Sequence, residues 1–445
     1  MKVLKFGGTS VASAERISNV AQLISTGSKP VLVVLSAMAG TTNTLVEIAR
    51  LLLQRKPQEA AAIIENLYEK YQTELQLLFP REGSRRIAQA AVECSFALMR
   101  EMCERENFSL FEEKRILAQG ELMSTAMMLR HLQDMGKKAV IIPALDFMKT
   151  DKNAEPDLPY ITSHLRPLVQ TAPGDTEIYI TEGYICLNAY NRVDNLRRGG
   201  SDYTASLAGV AIGAEEIQIW TDIDGLHNND PRFVDKTAPV RRLHFDEASE
   251  LAYFGAKILH PTCIQPAREH NIPVRLLDTL NPSLPGTFIS LDTEKDVIKA
   301  VSAKDGIIAI KVKSNHKLVS WHFLRRVFEV FERYAVVVDM VTTSEVGISL
   351  TIDNDEKLPE IQRELEELGS ISVERGLTII CVVGDMKSDN IGFEARIVEA
   401  IRTFPVRMIS YGGSDYNMTV LIRESDKREV LVALSEHLFS TTKSS

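Results

Sequence analysis

The sequence contains few cysteines, and their spacing argues against two kinds of structural device. The five are odd in number, scattered and never spaced C-x-x-C: Cys94, Cys103, Cys186, Cys263 and Cys381. This usage disfavours a disulfide framework or a thiolate metal site and is typical of a reducing compartment. The nine histidines form no H-E-x-x-H motif or paired ligand spacing, so a zinc hydrolase has no support and we expect no resident metal site.

Long apolar runs and an excess of basic residues are also missing. No apolar run approaches the roughly 20 residues that a bilayer requires, and the first residues predict a strand rather than a cleavable signal. The 51 Lys and Arg are outnumbered by 60 Asp and Glu, for a net charge of -9, which is unlike a general nucleic-acid binder. We therefore expect a cytoplasmic protein with neither a membrane nor a nucleic-acid partner.

Two nucleotide-binding fingerprints are absent, namely the Walker A motif and G-x-G-x-x-G. P-loop NTPases and Rossmann dehydrogenases therefore lose their main support. The chain is long, however, because its 445 residues exceed the roughly 250 to 300 at which a single hydrophobic core stops growing. We expect at least two domains.

Strands and helices alternate through residues 1–295, which predicts an α/β domain with a parallel sheet. Strands are predicted at 1–6, 30–36, 139–143, 177–181, 217–221, 274–277 and 287–289, and helices at 14–25, 42–53, 117–133, 163–170, after 202, and at 246–253. Residues 57–106 are almost entirely helix formers and too long for a connection, so they predict a helical insertion.

The remainder, residues 296–445, contains an internal repeat. The run SEVGISL at 344–350 returns about 70 residues later as SDYNMTV at 414–420, and amphipathic helices are predicted before each copy, at 323–334 and 394–404. The repeat predicts two small βαβ-type modules that are better stabilised as a pair than alone. A chance similarity between two amphipathic strands is the alternative.

The first candidate for chemistry is the segment KFGGTS. Lys5 ends a strand, and Gly7 and Gly8 precede a helix, so backbone N–H groups there can face an anion such as phosphate. A glycine pair after a strand is also a common plain connection.

A second glycine pair lies in RRGGSDYT, where Asp202 falls in the first turn of a helix and an arginine fork can hold a carboxylate or phosphate. An ordinary capped loop with surface arginines remains the alternative. The similar GGSDY at 412–416 lacks the arginine and precedes a strand, so we do not count it as a site.

Three further segments carry polar groups at the ends of predicted elements. WTDIDG and the following NDPR place hydroxyl and carboxylate groups after a buried strand, where ligands bind in open α/β sheets. FGAKILHP places Lys257 just past a helix, and QGELMS places Glu121 in an apolar helix start, although both are also common at helix ends. Together these turns favour phosphoryl transfer, which depends mainly on positioning and charge neutralisation.

The order of the motifs KFGGTS, SAMAGTTN, GE, RGGSDYTA, TDIDG with DPR, and FGAKILHP resembles the aspartate kinase family of the amino acid kinase superfamily. The resemblance covers essentially the whole chain, and VDMVTTSEVGISLTID is similar to the effector-binding segment of that family's tandem ACT domains. It implies a three-layer α/β/α catalytic domain at 1–295 and two ferredoxin-like ACT modules at 296–445. No dinucleotide fingerprint follows, so we expect the monofunctional form.

The resemblance also implies the reaction and its regulation. MgATP would donate its γ-phosphoryl group to the β-carboxylate of L-aspartate, giving 4-phospho-L-aspartate at the entry to lysine, threonine and methionine biosynthesis. Lysine or threonine would inhibit through the ACT modules, which usually pair between chains and so imply a homodimer. The effector candidates are Met340, Thr342, Ser344 and Glu345, unless this strand serves only to form the sheet.

The resemblance assigns the remaining roles residue by residue. Lys5 would neutralise the transferring phosphoryl group, Asp202 would position Lys5, and Lys257 would complete the catalytic set. Aspartate would be bound by Ser36, Thr42, Glu121, Arg198, Gly199, Gly200 and Ser201, with Arg198 on its α-carboxylate and Glu121 on its α-ammonium group. ATP would be bound by Lys5, Gly7, Gly8, Thr221, Asp222, Arg232 and Lys257.

The sequence departs from the common pattern of the family in three places. Arg197 replaces a glycine, residues 193–195 replace a threonine-rich run, and His227 stands where a tyrosine often contacts the nucleotide. Two other hypotheses remain open: an amino acid kinase for glutamate, N-acetylglutamate or UMP, and a non-catalytic amino-acid sensor that uses the ACT pair.

Overall fold

The computed structural model of the protein describes residues 1–196, 199–255, 259–292, 294–315, 321–387 and 391–439. Its strands, in chain order, are β1 (Lys2–Phe6), β2 (Val31–Leu35), β3 (Ala139–Ile141), β4 (Ile178–Glu182), β5 (Ile185–Leu187), β6 (Val193–Asn195), β7 (Ile217–Thr221), β8 (Arg242–His244), β9 (Val274–Asp278), β10 (Thr287–Ser290), β11 (Ile298–Ser314), β12 (Val341–Ser344), β13 (Gly347–Ile352), β14 (Gly369–Gly384), β15 (Met408–Tyr411) and β16 (Asn417–Arg423).

The α-helices, numbered in the same way, are α1 (Ala14–Thr26), α2 (Thr41–Leu53), α3 (Pro57–Leu78), α4 (Glu82–Glu104), α5 (Leu110–Leu117), α6 (Gln119–Asp134), α7 (Leu158–Thr171), α8 (Gly200–Ile212), α9 (Phe245–Tyr253), α10 (Pro261–Glu269), α11 (Trp321–Arg333), α12 (Leu358–Glu366), α13 (Phe393–Ala400) and α14 (Lys427–Phe439). None of the described helices is both long enough and apolar enough to cross a membrane.

The chain forms two compact units. The first comprises Met1–Leu226 and Leu259–Leu291, and the second comprises His227–Ile258 and Asp292–Ser445. The second unit thus includes a segment from within residues 1–295, while the domain boundary near residue 295 stays a prediction from the sequence.

The first unit is built on a mainly parallel sheet with the strand order β3-β4-β2-β1-β7-β9-β10. Strand β1 lies between β2 and β7, with Lys5 opposite Val34 and Ile219. Within this order of seven strands, β10 runs antiparallel to its neighbour β9. All five residues of β2 are buried, as expected for a central strand covered on both faces. The α/β fold class predicted from the alternating pattern is confirmed.

Helices α3 and α4 form the helical insertion that the sequence predicts. The buried positions of α3, namely Ala60, Ile64, Leu67, Tyr71, Leu75 and Leu78, recur every three or four residues, which is the period of one helix face. They join the core of the first unit.

Helix α7 begins earlier than the predicted residue 163. The Asp157 side chain accepts a hydrogen bond from the Tyr160 N–H at 3.0 Å, and Pro159 lies in the first turn. Both features favour a helix start. Asp157 and Pro159 therefore indicate the earlier start of α7, which the spacing of the apolar residues does not show.

The second unit contains an antiparallel sheet with the order β12-β13-β11-β14-β16-β15. The long strands β11 and β14 pair with each other along most of their length. The hairpin β12–β13 adds to β11, and the hairpin β15–β16 adds to β14. The two copies of the sequence repeat therefore occupy equivalent hairpins, and helices α11 to α14 complete the two modules.

Candidate active site

The turn after β1 is held by backbone hydrogen bonds. The Gly7 N–H donates to the Trp220 carbonyl at 3.2 Å, and the Gly8 carbonyl accepts from the Ala39 N–H at 3.1 Å. A Cβ atom at Gly8 would lie 2.9 Å from the Ala37 carbonyl oxygen, so only glycine fits this close approach. Within the described part of the chain, the N–H groups of Gly8 and Thr9 have no hydrogen-bond acceptor, which leaves them available to an anion.

Lys5 projects from the central strand to a carboxylate. Its Nζ lies 2.5 Å from Oδ1 of Asp202, and both side chains are largely buried. Asp202 lies in the first turn of α8, where its N–H donates to the Gly199 carbonyl at 2.8 Å. The ion pair therefore places a cation at the carboxyl end of β1. The role of Asp202 in positioning Lys5 during catalysis stays a prediction from the family resemblance.

Glycine is required at position 199, immediately before α8. Gly199 has a φ of 66°, and a Cβ atom there would lie 1.8 Å from Sγ of Cys263 on α10. Any side chain at this position would be both strained and blocked. This packing allows the helix to begin directly beside the ends of β1 and β2, where Ser36 Oγ donates to Ser201 Oγ at 2.9 Å.

These segments line a solvent-open cavity of about 450 Å³ in the first unit. Eight of the predicted site residues line it: Lys5, Gly8, Ser36, Thr42, Glu121, Gly199, Gly200 and Ser201. They come from four separate parts of the sequence. One wall of the cavity is a small-residue turn, which we define as residues 37–41. Within this turn, Ala37 to Gly40 line the cavity.

Glu121 presents a buried carboxylate to this cavity. Its Oε1 accepts a hydrogen bond from the Ala37 N–H at 3.2 Å, whereas Oε2 is buried without a hydrogen-bond partner among the described residues. Burial raises the pKa of Glu121 to about 7, and the nearby Glu182 carboxylate adds to the rise. A cationic group in the cavity would satisfy Oε2 and favour the ionised form.

The raised pKa predicts that Glu121 reduces stability at neutral and alkaline pH. The folded-state pKa of Glu121 lies above the ordinary carboxyl value of 4.5, so folding favours the protonated carboxyl group. The free energy of unfolding is therefore highest below pH 4.5 and is lowered as the pH rises through about 7. A pKa near 7 corresponds to a cost of roughly 3 kcal/mol above that pH. We expect Glu121→Gln to raise the Tm more at pH 8 than at pH 5, by thermal unfolding without substrate. An equal change at both pH values would contradict this assignment.

Tyr184 is a cavity residue that the sequence did not identify. It lines the cavity with a φ of 70°, a conformation that residues other than glycine rarely adopt. Its N–H donates to Thr204 Oγ1 at 3.0 Å, and burial raises the pKa of its phenol to about 12. In the sequence, the position of Tyr184 just after the predicted strand at 177–181 was the feature that could have indicated a site residue. Thr9 and Asn43 also line the cavity without having been predicted.

The predicted nucleotide residues are more dispersed. Thr221 and Asp222 lie at the carboxyl end of β7, next to β1, and are hydrogen-bonded to each other at 3.1 Å. Arg232 belongs to the second unit, where its guanidinium and the Asp230 carboxylate form hydrogen bonds of 2.6 to 3.1 Å. Arg198 and Lys257 lie outside the described residues, as does Arg197, so their predicted roles rest on the sequence.

The effector candidates lie on an edge of the second sheet. Met340 is buried, and its N–H donates to Thr351 Oγ1 at 2.9 Å. Thr342 and Ser344 belong to the edge strand β12, and Glu345 follows in the exposed hairpin turn.

In the described ranges, no group of three or more His, Cys, Asp or Glu residues could hold a metal ion.

Comparisons with known proteins support the same interpretation. A model of the amino acid kinase family matches residues 1–278, and a model of the ACT domain matches residues 380–438. The chain is 34% identical to aspartokinase 3, chloroplastic, of Arabidopsis thaliana, over 99% of this chain and 82% of that protein. It is 32% identical to lysine-sensitive aspartokinase 3 of Escherichia coli, over 98% of this chain and 99% of that protein.

Solved structures agree in fold. The structure of Escherichia coli aspartokinase III in complex with aspartate and ADP superposes with a TM-score of 0.80 at 30% identity, covering 99% of this chain and 100% of that one. The complex of the same enzyme with lysine and aspartate gives a TM-score of 0.81 at 31% identity, covering 99% of each chain. The protein therefore belongs to the amino acid kinase family and, within it, to the aspartokinases.

Proposed function

We propose that this protein uses MgATP to phosphorylate the β-carboxylate of L-aspartate in the cavity of its first unit. The observation that carries the proposal is the convergence of the Lys5–Asp202 ion pair, the buried Glu121 carboxylate and two glycine turns on one cavity. Support also comes from the aspartokinase III structures, which contain aspartate and ADP or aspartate and lysine.

Aspartate is oriented by groups of opposite charge. Glu121 accepts hydrogen bonds from the α-ammonium group through its otherwise unpaired Oε2, and Arg198 holds the α-carboxylate. The paired hydroxyls of Ser36 and Ser201, together with Thr42, Gly199 and Gly200, set the direction of the side chain. The burial of Glu121 makes its charge-assisted bond to the ammonium group stronger than it would be in water.

Phosphoryl transfer at this site requires no general base. The β-carboxylate is ionised at neutral pH, so its oxygen forms the new bond to the γ-phosphorus while the bond between that phosphorus and the bridging oxygen of ADP breaks. Lys5, held by Asp202, neutralises the charge on the transferring group, and the free N–H groups near Gly8 hold its oxygens. No covalent enzyme intermediate is needed.

Gly7, Thr221 and Asp222 of the first unit hold the nucleotide, and Mg²⁺ enters as part of the co-substrate. The nucleotide-binding roles of Arg232 and Lys257 rest on the family resemblance alone. Gly7 contributes through its lack of a side chain rather than its N–H, because that N–H is bonded to Trp220. The metal would offset part of the phosphate charge, as in other phosphoryl transfers.

Regulation belongs to the second unit. A feedback amino acid, lysine or threonine, binds near Met340, Thr342, Ser344 and Glu345, and pairing of this unit between two chains gives a homodimer. Lysine is the first candidate, because a relative is named lysine-sensitive. A cytoplasmic location completes the proposal.

The proposal is tested by acceptor specificity. Purified protein is incubated with MgATP and L-aspartate, L-glutamate, N-acetylglutamate or UMP, while ADP is measured and acyl phosphate is trapped with hydroxylamine. We expect ADP and aspartyl β-hydroxamate in equal amounts with aspartate alone. Preferred phosphorylation of another acceptor would contradict the substrate. Binding of lysine or threonine without any ADP formation would support the non-catalytic sensor instead.

The regulatory part is tested separately with the same assay. We expect a panel of end-product amino acids to include one, lysine or threonine, that inhibits at least fivefold at saturation. The substitution Ser344→Ala is expected to weaken that inhibition without changing activity in its absence. Inhibition that persists unchanged in this variant would remove Ser344 from the effector site.

A further inference from the structure

The helical insertion contacts the cavity wall from behind. The Tyr71 phenol on α3 lies 3.1 Å from Thr41 Oγ1, and both side chains are fully buried. Thr41 closes the small-residue turn, since its N–H donates to the Met38 carbonyl at 3.0 Å. Among residues 37–43, Thr41 is the member that does not line the cavity, because its side chain faces the insertion.

A second contact reaches the same turn from the preceding residue of α3. Lys70 Nζ donates to the Ala39 carbonyl at 3.0 Å in an exposed position. On its opposite side, Ala39 is fixed by the hydrogen bond to Gly8, and Ala37 is fixed by Glu121. The turn is therefore anchored both from the cavity side and from the insertion.

The position of the Tyr71 ring is itself fixed by the insertion. Phe96 on α4 packs edge-on against it with ring centroids 5.8 Å apart. Tyr68, one turn earlier on α3, packs against the same Phe96 at 5.0 Å, and the Arg100 guanidinium lies 4.8 Å from the centre of the Tyr68 ring. This aromatic cluster leaves the Tyr71 hydroxyl with little freedom to move away from Thr41.

We infer that Tyr71 is a positioning residue for substrate: through Thr41 it holds the small-residue turn in the conformation that lines the aspartate cavity. The helical insertion supplies none of the described cavity-lining residues. It nevertheless sets the shape of the wall formed by the small-residue turn, which contributes four of the fifteen lining residues. The inference rests on the proposed function for the identity of the ligand, and on geometry alone for the effect on the turn.

The kinetic test uses Tyr71→Phe, which removes the hydroxyl and keeps the ring. We expect the KM for aspartate to rise about three- to tenfold, as for the loss of one buried hydrogen bond, with kcat and the KM for ATP changed less than twofold. Thr41→Val is expected to give a similar rise. The double variant should be no worse than the poorer single variant, because both substitutions break the same contact.

Tyr68→Phe is the matched control, because Tyr68 lies on the same helix and in the same aromatic cluster. Among the described residues, the hydrogen bonds from α3 to the turn come from Lys70 and Tyr71 and not from Tyr68. It should leave all three kinetic constants within twofold of the original. The inference is overturned if Tyr71→Phe leaves the KM for aspartate within twofold, if Tyr68→Phe raises it equally, or if the two effects in the double variant simply multiply.

A second measurement separates this inference from the proposed function. Amide hydrogen exchange of a peptide covering residues 37–43 reports the turn without any substrate. We expect exchange there to be at least threefold faster in Tyr71→Phe than in the original or in Tyr68→Phe. If aspartate is not phosphorylated but exchange still increases, the positioning role stands and the substrate is wrong. Unchanged exchange contradicts the positioning role whatever the substrate.

Discussion

Replacing Lys5 by methionine is expected to lower kcat by two decades or more while changing the KM for aspartate less than about threefold. The methionine keeps the length of the side chain and removes only the charge that faces Asp202 at 2.5 Å. Charge that stabilises the transferring phosphoryl group acts mainly in the transition state, so its loss appears in kcat. Steady-state kinetics with varied aspartate and ATP measure both constants.

The control for this experiment is Lys2→Met on the same strand. Lys2 forms a part-buried ion pair with Glu216 at 3.3 Å and lies outside the cavity lining, so kcat should stay within twofold. Because removing Lys5 leaves the Asp202 carboxylate without its cation, the Tm of each variant is measured as well. A folded Lys5→Met protein with unchanged kcat and weakened aspartate binding would contradict the proposed role.

Replacing Glu121 by glutamine is expected to raise the KM for aspartate about ten- to hundredfold. The neutral amide cannot pair with the α-ammonium group, and hydrogen bonds to charged groups contribute roughly 1.5 to 3 kcal/mol. The same substitution should stabilise the free protein at pH 8, since it removes a buried charge. Function and stability therefore depend on Glu121 in opposite directions.

The pH dependence of aspartate use follows from the same carboxylate. With a pKa of about 7 in the free protein, Glu121 becomes protonated as the pH falls from 8 to 6, and the ammonium group loses its partner. We expect kcat/KM for aspartate to fall over this range in the original protein and to be flatter in Glu121→Gln. Glu182→Gln is a second test, because that buried carboxylate accepts from the Ala144 N–H at 2.7 Å and does not line the cavity. The acid limb should remain in this variant and move to lower pH, because the Glu182 charge contributes to the raised pKa of Glu121. An acid limb that survives in Glu121→Gln would assign the pKa to another group.

Much of the first unit could be predicted from local sequence patterns. The apolar run PVLVVLS predicts a buried strand and contains β2, and the run of helix formers at 57–106 predicts the insertion that contains α3. Eight of the predicted site residues line one cavity, because glycine turns at the carboxyl ends of parallel strands meet at the same edge of the sheet.

The contacts that tertiary packing creates could not be predicted in the same way. Tyr71 appears in the sequence as one more residue on the buried face of α3, and nothing local indicates that its hydroxyl meets Thr41. Tyr184 follows a strand and carries no motif, although its φ of 70° places it in the cavity wall. The placement of residues 227–258 in the second unit depends on pairings between distant segments, which periodicity does not report.

The most direct test of the account is a crystal structure of the protein with L-aspartate and ADP bound. We predict that aspartate lies in the cavity of the first unit with its α-ammonium group within hydrogen-bonding distance of Glu121. Its β-carboxylate should face Lys5 and the Gly7–Gly8 turn. Aspartate bound elsewhere, or bound in this cavity with its ammonium group directed away from Glu121, would contradict the account.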